Sequence, residues 1–333
     1  MNSSVSISPD KQARIDAALL SFACGDALGM ATEFMTRDQI ERAFPDGVTR
    51  LLSQKDSQNH GNLPPGSVTD DTEQVGYLLE RYRAKGQVTV ADTVDALLVW
   101  IRETRAVEKH YIGPSSLKAL TAIENGADPA TAGTGTTCGG IMRIPAAVCF
   151  DPDQTMDRLR KNVRAALLPT HNTSEALEAS GCYGAALLTA LNGGTVAEVV
   201  EAALENGPLT EALAPWRGCA ASSAARIREA ASWGRLPDEE LFHRLYDLWG
   251  TGLPSVDVCG AVFALFLAAE GSAYRAISLG ASLGGDTDTI AALAGALTAA
   301  QAGHTDIPDH ITGTVRAVNG SILRRMGMCK KVS

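Results

Sequence analysis

The chain has 333 residues, 45% hydrophobic and 20% charged, which allows a sizeable buried core and excludes a disordered chain, a collagen repeat or a small disulfide scaffold. Roughly 50 alanines and only 5% aromatics predict a helical protein whose small side chains pack closely. The net charge of −9, from 38 acidic against 29 basic residues, argues against a broad grip on nucleic acid or an anionic membrane, but not against a small anion held at one place.

The opening MNSSVSISPDKQAR has no basic segment leading into an apolar one, so no signal peptide and a soluble, cytoplasmic protein are expected. Cys24, Cys138, Cys149, Cys182, Cys219, Cys259 and Cys329 are scattered without a CxxC pair, which fits reduced thiols better than disulfides or a zinc knuckle. Helical spacing runs over 11–34 through Ile15, Ala18, Leu19, Phe22, Ala23 and Leu28. Gly25 and Gly29, one turn apart, mark a place where another backbone can approach. A polar stretch at 53–67, rich in turn formers, reads as a surface loop that is either a functional lid or a plain connection.

Further helices are predicted over 70–84, 90–104, 115–125, 140–150, 154–167, 173–191, 196–204, 220–233, 238–249, 256–269, 274–282, 286–302 and 307–324. Gly86, Gly126, Gly193, Gly194, Pro208, Pro237 and Pro254 punctuate the junctions. Strand patterns are nearly absent, and no charge run, low-complexity tract or repeat divides the chain. A single all-α domain over 1–333, monomeric or weakly oligomeric, is the expectation.

Two acidic clusters sit where helices begin: Thr69-Asp70-Asp71-Thr72 and Gly284-Gly285-Asp286-Thr287-Asp288-Thr289. Capping and the helix dipole explain one or two such residues. Two carboxylates with flanking threonines at each of two starts are more than capping needs, and oxygen donors in that number suit a hard divalent cation such as Mg²⁺ or Mn²⁺. Asp26 and Glu33, seven residues apart in the predicted first helix, form a third acidic feature, read either as part of a site or as a solvated helix face. The glycine-rich run from Gly133 to Gly140, leading into Ile141-Met142-Arg143, suits a phosphate cradle but does not match a P-loop. His171, alone in Pro169-Thr170-His171, is by residue type more often a cap or a packed polar group than a catalytic one.

In this order, Gly25-Asp26-Ala27-Leu28-Gly29 with Glu33-Phe34, Thr69-Asp70-Asp71-Thr72 and Gly284-Gly285-Asp286-Thr287-Asp288-Thr289 resemble the ADP-ribosylglycohydrolase family. Gly113-Pro114-Ser115-Ser116, Gly139-Gly140-Ile141-Met142-Arg143 and Pro169-Thr170-His171 support the match, which spans about 15–303. The resemblance implies a compact orthogonal helical bundle around a binuclear Mg²⁺ or Mn²⁺ centre. It also implies hydrolysis of the bond between ADP-ribose and a protein side chain, a nucleobase or a small molecule.

On that resemblance Thr69, Asp70, Asp71, Asp286, Asp288 and Thr289 would ligate two cations, and Glu33 and Asp70 would be the catalytic carboxylates. Ser115, Gly139, Gly140, Met142, Arg143 and His171 would bind the substrate. Cys138 stands where many relatives carry asparagine, and Glu73-Gln74 where relatives often place an apolar residue. The competing reading is a non-catalytic ADP-ribose-binding or crystallin-like relative on the same fold. An isoprenoid synthase is disfavoured because Asp70-Asp71 lack the second anchor of DDxxD, and an HD phosphohydrolase because no histidine is followed by aspartate.

Overall fold

Ser8 accepts from Lys11 N at 3.3 Å and Pro9 occupies the first turn, which starts α1 (Pro9–Gly29). A computed structural model describes residues 7–328 apart from 54, 58, 59, 61, 62 and 110. The first six residues, Cys329 and those positions of the 53–67 loop therefore lie outside the described residues. After α1 come α2 (Arg37–Ala43), α3 (Asp70–Lys85), α4 (Val90–Thr104), α5 (Pro114–Glu124), α6 (Pro129–Ala132), α7 (Ile144–Cys149), α8 (Met156–His171) and α9 (Ser174–Leu191). The rest are α10 (Val196–Glu211), α11 (Ser223–Ser232), α12 (Asp238–Phe242), α13 (Ser255–Ala268), α14 (Ala273–Leu283), α15 (Thr287–Ala302), α16 (Asp309–Val318) and α17 (Gly320–Arg325). The described residues contain no β-strand, only isolated bridges such as Thr134 with His171 and Thr137 with Pro254. The protein is all-α, as its composition predicts.

Small residues bring the central helices into backbone contact. A Cβ placed on Gly25 would lie 2.4 Å from Ala291 O, and one on Gly29 would lie 2.3 Å from Thr287 O, so α1 and α15 touch through their main chains. Gly280 of α14 meets Ala291 in the same way, 2.8 Å from its Cα. The apolar stretch Pro9–Thr32 is long enough to cross a bilayer, but 94% of its most apolar 18-residue window is buried inside the protein, so its apolarity serves the core.

The structure departs from several predicted bounds. The first helix ends at Gly29 rather than 34; a 3₁₀ turn (Met30–Thr32) follows, and Phe34 adopts φ 60°, which turns the chain away. Glu33 is therefore not two turns along a helix from Asp26. The predicted break at Pro208 is absent, since α10 runs through Gly207-Pro208, where bare Gly207 lets the Cys182 sulfur approach to 2.2 Å of a would-be Cβ. The stretch predicted over 307–324 is divided at Asn319, whose side chain donates to Gly66 O at 2.7 Å and accepts from Val68 N at 3.3 Å. Those bonds tie the C-terminal helices to the segment that leads into α3.

Candidate active site

The start of α3 is capped by residues other than its aspartates. Thr69 is the N-cap and its hydroxyl accepts from Asp71 N at 3.3 Å. Asp26, reaching over from α1, accepts from Thr69 N at 3.0 Å and from Thr72 N at 3.1 Å, and also takes the Thr72 hydroxyl. The donors that a helix start leaves unpaired are thus met by Thr69 and Asp26, and Asp70 and Asp71 are free of that task. Asp26 is fully buried, which overturns the reading of a solvated helix face.

The second cluster is presented by a glycine corner. Gly284 and Gly285 take φ of 91° and 85°, values that favour glycine, and a Cβ on Gly285 would sit 2.2 Å from Thr251 O. Asp286 N donates to Thr251 O at 2.8 Å, while its side chain makes no capping bond. Thr287 points away from the cluster and donates to Gly29 O at 2.9 Å, which fixes α15 to α1. Thr69 Oγ1 lies 3.4 Å from Asp288 Oδ2 and joins the two helix starts. Thr289 is buried at 2% exposure in the same turn.

Glu33 closes the group. One carboxylate oxygen each from Glu33, Asp286 and Asp288 lie within 4.8 Å of one another. His60, from the 53–67 loop, donates Nε2–H to Glu33 Oε2 and packs edge-on against Tyr111, with ring centroids 6.3 Å apart. Asp70 is half-buried and its Oδ2 accepts from Gln74 Nε2 at 3.0 Å. So polar Gln74 holds an aspartate.

Burial pushes every one of these carboxyls up, and repulsion from neighbouring carboxylates adds to it for all but Asp288. Asp26 rises to about 7, first through burial and then through the Asp288 charge. Glu33, Asp70, Asp71 and Asp286 are held well above the usual carboxylate range by burial and then by Asp288, and Asp288 itself is raised by burial. Among the described residues Asp71 Oδ2, Asp286 Oδ2 and Asp288 Oδ1 are buried with no hydrogen-bond partner. Dry carboxylate oxygens without donors are costly unless something positive meets them. An oxygen-only donor set of this kind fits Mg²⁺ or Mn²⁺.

The glycine-rich loop forms the opposite wall. Gly135 N donates to Thr170 O at 2.9 Å and Cys138 N to Leu253 O at 2.7 Å. The glycines make room for His171: a Cβ on Gly135 would lie 2.6 Å from its ring and one on Gly139 3.0 Å. The ring is fully buried, with Nε2 3.0 Å from Thr137 Oγ1 and Nδ1 2.8 Å from Thr170 Oγ1. Burial, with the Arg143 charge second, holds it well below its ordinary value and keeps it neutral. Arg143 is also fully buried, and its guanidinium donates to Thr170 Oγ1 at 3.0 Å. A second, weaker bond reaches Ser116 Oγ at 3.5 Å. Met142 is 3% exposed, while Ser115 and Gly139 keep part of their surface. Burial, followed by the Asp286 carboxylate beside it, raises the Cys138 thiol, which places this loop against the second cluster.

The helix-start aspartates, Thr69 and Glu33 are therefore brought together. Gly139 and Gly140 lie against the buried His171 ring, and Arg143 reaches Thr170 and Ser116. The sequence assigned no role to His60, offered Thr72 only as a flanking oxygen donor, and marked Asp26 only by its spacing to Glu33 and its place in the Gly25-Asp26-Ala27-Leu28-Gly29 motif. The ADP-ribosylglycohydrolase sequence profile matches residues 7–330. The chain belongs to the ADP-ribosylglycohydrolase family. It is similar to the uncharacterised protein YegU of Escherichia coli, 29% identical over 319 residues and 93% of each chain. It is also similar to an ADP-ribosylarginine hydrolase of Pseudomonas putida, 26% identical over 307 residues, 89% of this chain and 72% of the other. A 94-residue stretch is 35% identical to the ADP-ribosyl-[dinitrogen reductase] glycohydrolase of Rhodospirillum rubrum, covering 28% of this chain and 30% of that one. A solved structure described as an ADP-ribosylglycohydrolase-related protein complex superimposes with a TM-score of 0.72 at 26% identity, over 96% of this chain and 98% of that one. Membership supports hydrolysis of glycosidic bonds in ADP-ribose conjugates.

Proposed function

We propose that the protein hydrolyses the bond between the anomeric carbon of ADP-ribose, or a related ribosyl group, and an acceptor, with two divalent cations, Mg²⁺ or Mn²⁺, in the acidic cluster. Asp71, Asp286 and Asp288, with Thr69, Asp70 and Thr289, would hold them. The observation that carries this reading is the set of buried carboxylate oxygens on Asp71, Asp286 and Asp288 with no hydrogen-bond partner among the described residues.

Cleavage at an anomeric carbon passes through an oxocarbenium-like state and needs a group that handles the proton of water or of the leaving atom. Two carboxyls would serve: Asp70, half-buried and bonded to Gln74, and Glu33, bonded to His60. When bound, the cations supply the positive charge that polarises water and ribose hydroxyls. Backbone N–H groups at Gly139 and Gly140, with Ser115, would meet the diphosphate or distal ribose. Arg143, Met142 and His171 would act from behind by setting the shape of that loop.

The test is release of ADP-ribose from modified arginine, serine and nucleobase substrates, with and without chelator, for the wild type and Asp288→Ala. Activity lost on chelation and in the variant supports the reading, and activity that survives both removes the metal from it. Metal-replete wild type inactive across the panel would favour the binding-protein alternative. Rates of Asp70→Asn and Glu33→Gln across pH would then assign the proton.

A further inference from the structure

We propose that His60 is a positioning residue that holds the Glu33 carboxylate beside Asp286 and Asp288 and so sets one corner of the cation site. The inference rests on the metal-dependent reading above and adds a residue that shapes the same site.

Glu33 needs such a partner. It follows a 3₁₀ turn and precedes Phe34 at φ 60°, so no helix orients it. One of its oxygens lies within 4.8 Å of oxygens on Asp286 and Asp288, and like charges at that distance repel. A donor on the outer side opposes that push, and His60 Nε2–H is placed there. The side chains of His60 and Glu33 are only 17% and 13% exposed, so the bond lies mostly out of water, where a charge-assisted hydrogen bond is strong.

His60 is itself held. Its N–H donates to Ser57 Oγ at 2.9 Å, its carbonyl accepts from Leu63 N at 2.9 Å, and its ring meets Tyr111 at 74°. The imidazole thus has a fixed backbone, a ring contact and one polar task. On this proposal Glu33 also offers one oxygen to the cation beside Asp286 and Asp288, and partners that orient such a ligand from outside the metal's own shell change metal affinity or activity by about 10- to 100-fold when removed.

The probe is Mn²⁺ alone, titrated calorimetrically into the full chain, with thermal unfolding confirming that each variant folds. His60→Ala is expected to weaken Mn²⁺ binding about tenfold. His60→Gln, which restores an N–H donor, recovers most of the loss. His60→Phe keeps the ring contact with Tyr111 without the donor and gives the same weakening, even if His60→Ala does not fold. In a Glu33→Gln background the His60→Ala change adds nothing. Wild-type Mn²⁺ affinity in folded His60→Phe, or losses that add in the double variant, overturns the proposal. Asp288→Ala separates the two readings. If it too binds Mn²⁺ like the wild type, the cation site itself is wrong; if it loses Mn²⁺ while His60→Phe does not, only the role of His60 fails.

Discussion

Replacing Gly29 by alanine sets two effects of known size against each other. In a helix the change is worth about 1 kcal/mol of added stability when nothing is in the way. Here the new Cβ would lie 2.3 Å from Thr287 O, 2.6 Å from Thr287 C and 2.7 Å from Asp288 Cα, all backbone atoms that no rotamer change can move. Ordinary contact begins near 3.4 Å, so the start of α15 must shift by about 1 Å. Overpacking of that kind costs about 1–3 kcal/mol. The clash cancels or exceeds the gain, and Gly29→Ala is expected to lose up to about 2 kcal/mol net. Because Asp288 rides on the displaced turn, ligand geometry is lost as well, and a misplacement near 1 Å can cost about 100-fold in rate. Gly313, inside α16 with nothing within 4 Å of a would-be Cβ, is the control. Gly313→Ala should gain about 1 kcal/mol. Urea denaturation of both variants, with Mn²⁺ titration of Gly29→Ala, measures the contrast. A Gly29→Ala protein stabilised to the same degree as Gly313→Ala, with unchanged Mn²⁺ affinity, would refute the argued contact between α1 and α15.

Asp26→Asn puts an amide donor against the N–H groups of Thr69 and Thr72, which the carboxylate now receives. A loss of about 2–4 kcal/mol in chemical denaturation is expected, with Mn²⁺ binding weakened about tenfold as Asp70 and Asp71 loosen. A loss below about 1 kcal/mol would show that Asp26 does not cap α3. For pH, the folded state holds Asp26 at about 7 against an ordinary 3.8, and the neighbouring cluster carboxyls are also raised, so it binds more protons than the unfolded chain. These groups therefore make metal-free protein lose stability as pH rises from about 4 to about 7. Added Mg²⁺ or Mn²⁺ should raise the melting temperature most at pH 8 and least at pH 5; a cation effect that grows as pH falls would contradict this. Phe34 holds φ 60° with its side chain 54% exposed. Relief of that strain should make Phe34→Gly within about 1 kcal/mol of wild type or better, whereas Phe34→Val should lose more than about 1 kcal/mol, as denaturation midpoints will show.

Much of the site was legible because its parts are local. Thr69-Asp70-Asp71-Thr72 and Asp286-Thr287-Asp288-Thr289 are excess acid at helix starts, and that excess shows in a short window. The glycines at 25 and 29 likewise pointed to a close backbone approach, which Ala291 and Thr287 provide. His171 was legible as a residue type and, by resemblance, as a substrate-binding residue, whereas its buried ring between the glycines of the opposite loop is a tertiary outcome.

Hydrophobic periodicity, alanine content and helix-start chemistry by themselves determined that this chain is helical, where most of its helices begin, and which carboxylates are in excess. Those signals act between residues a few positions apart. Packing alone decided that Asp26 would cap a helix 43 residues away, that Glu33 would leave its helix and meet His60 from a loop, and that α10 would run through Gly207-Pro208. It also left one carboxylate oxygen each of Asp71, Asp286 and Asp288 buried and without a hydrogen-bond partner, among the described residues. The desolvation on which the proposed cation site rests exists only once α1, α3 and α15 have packed together.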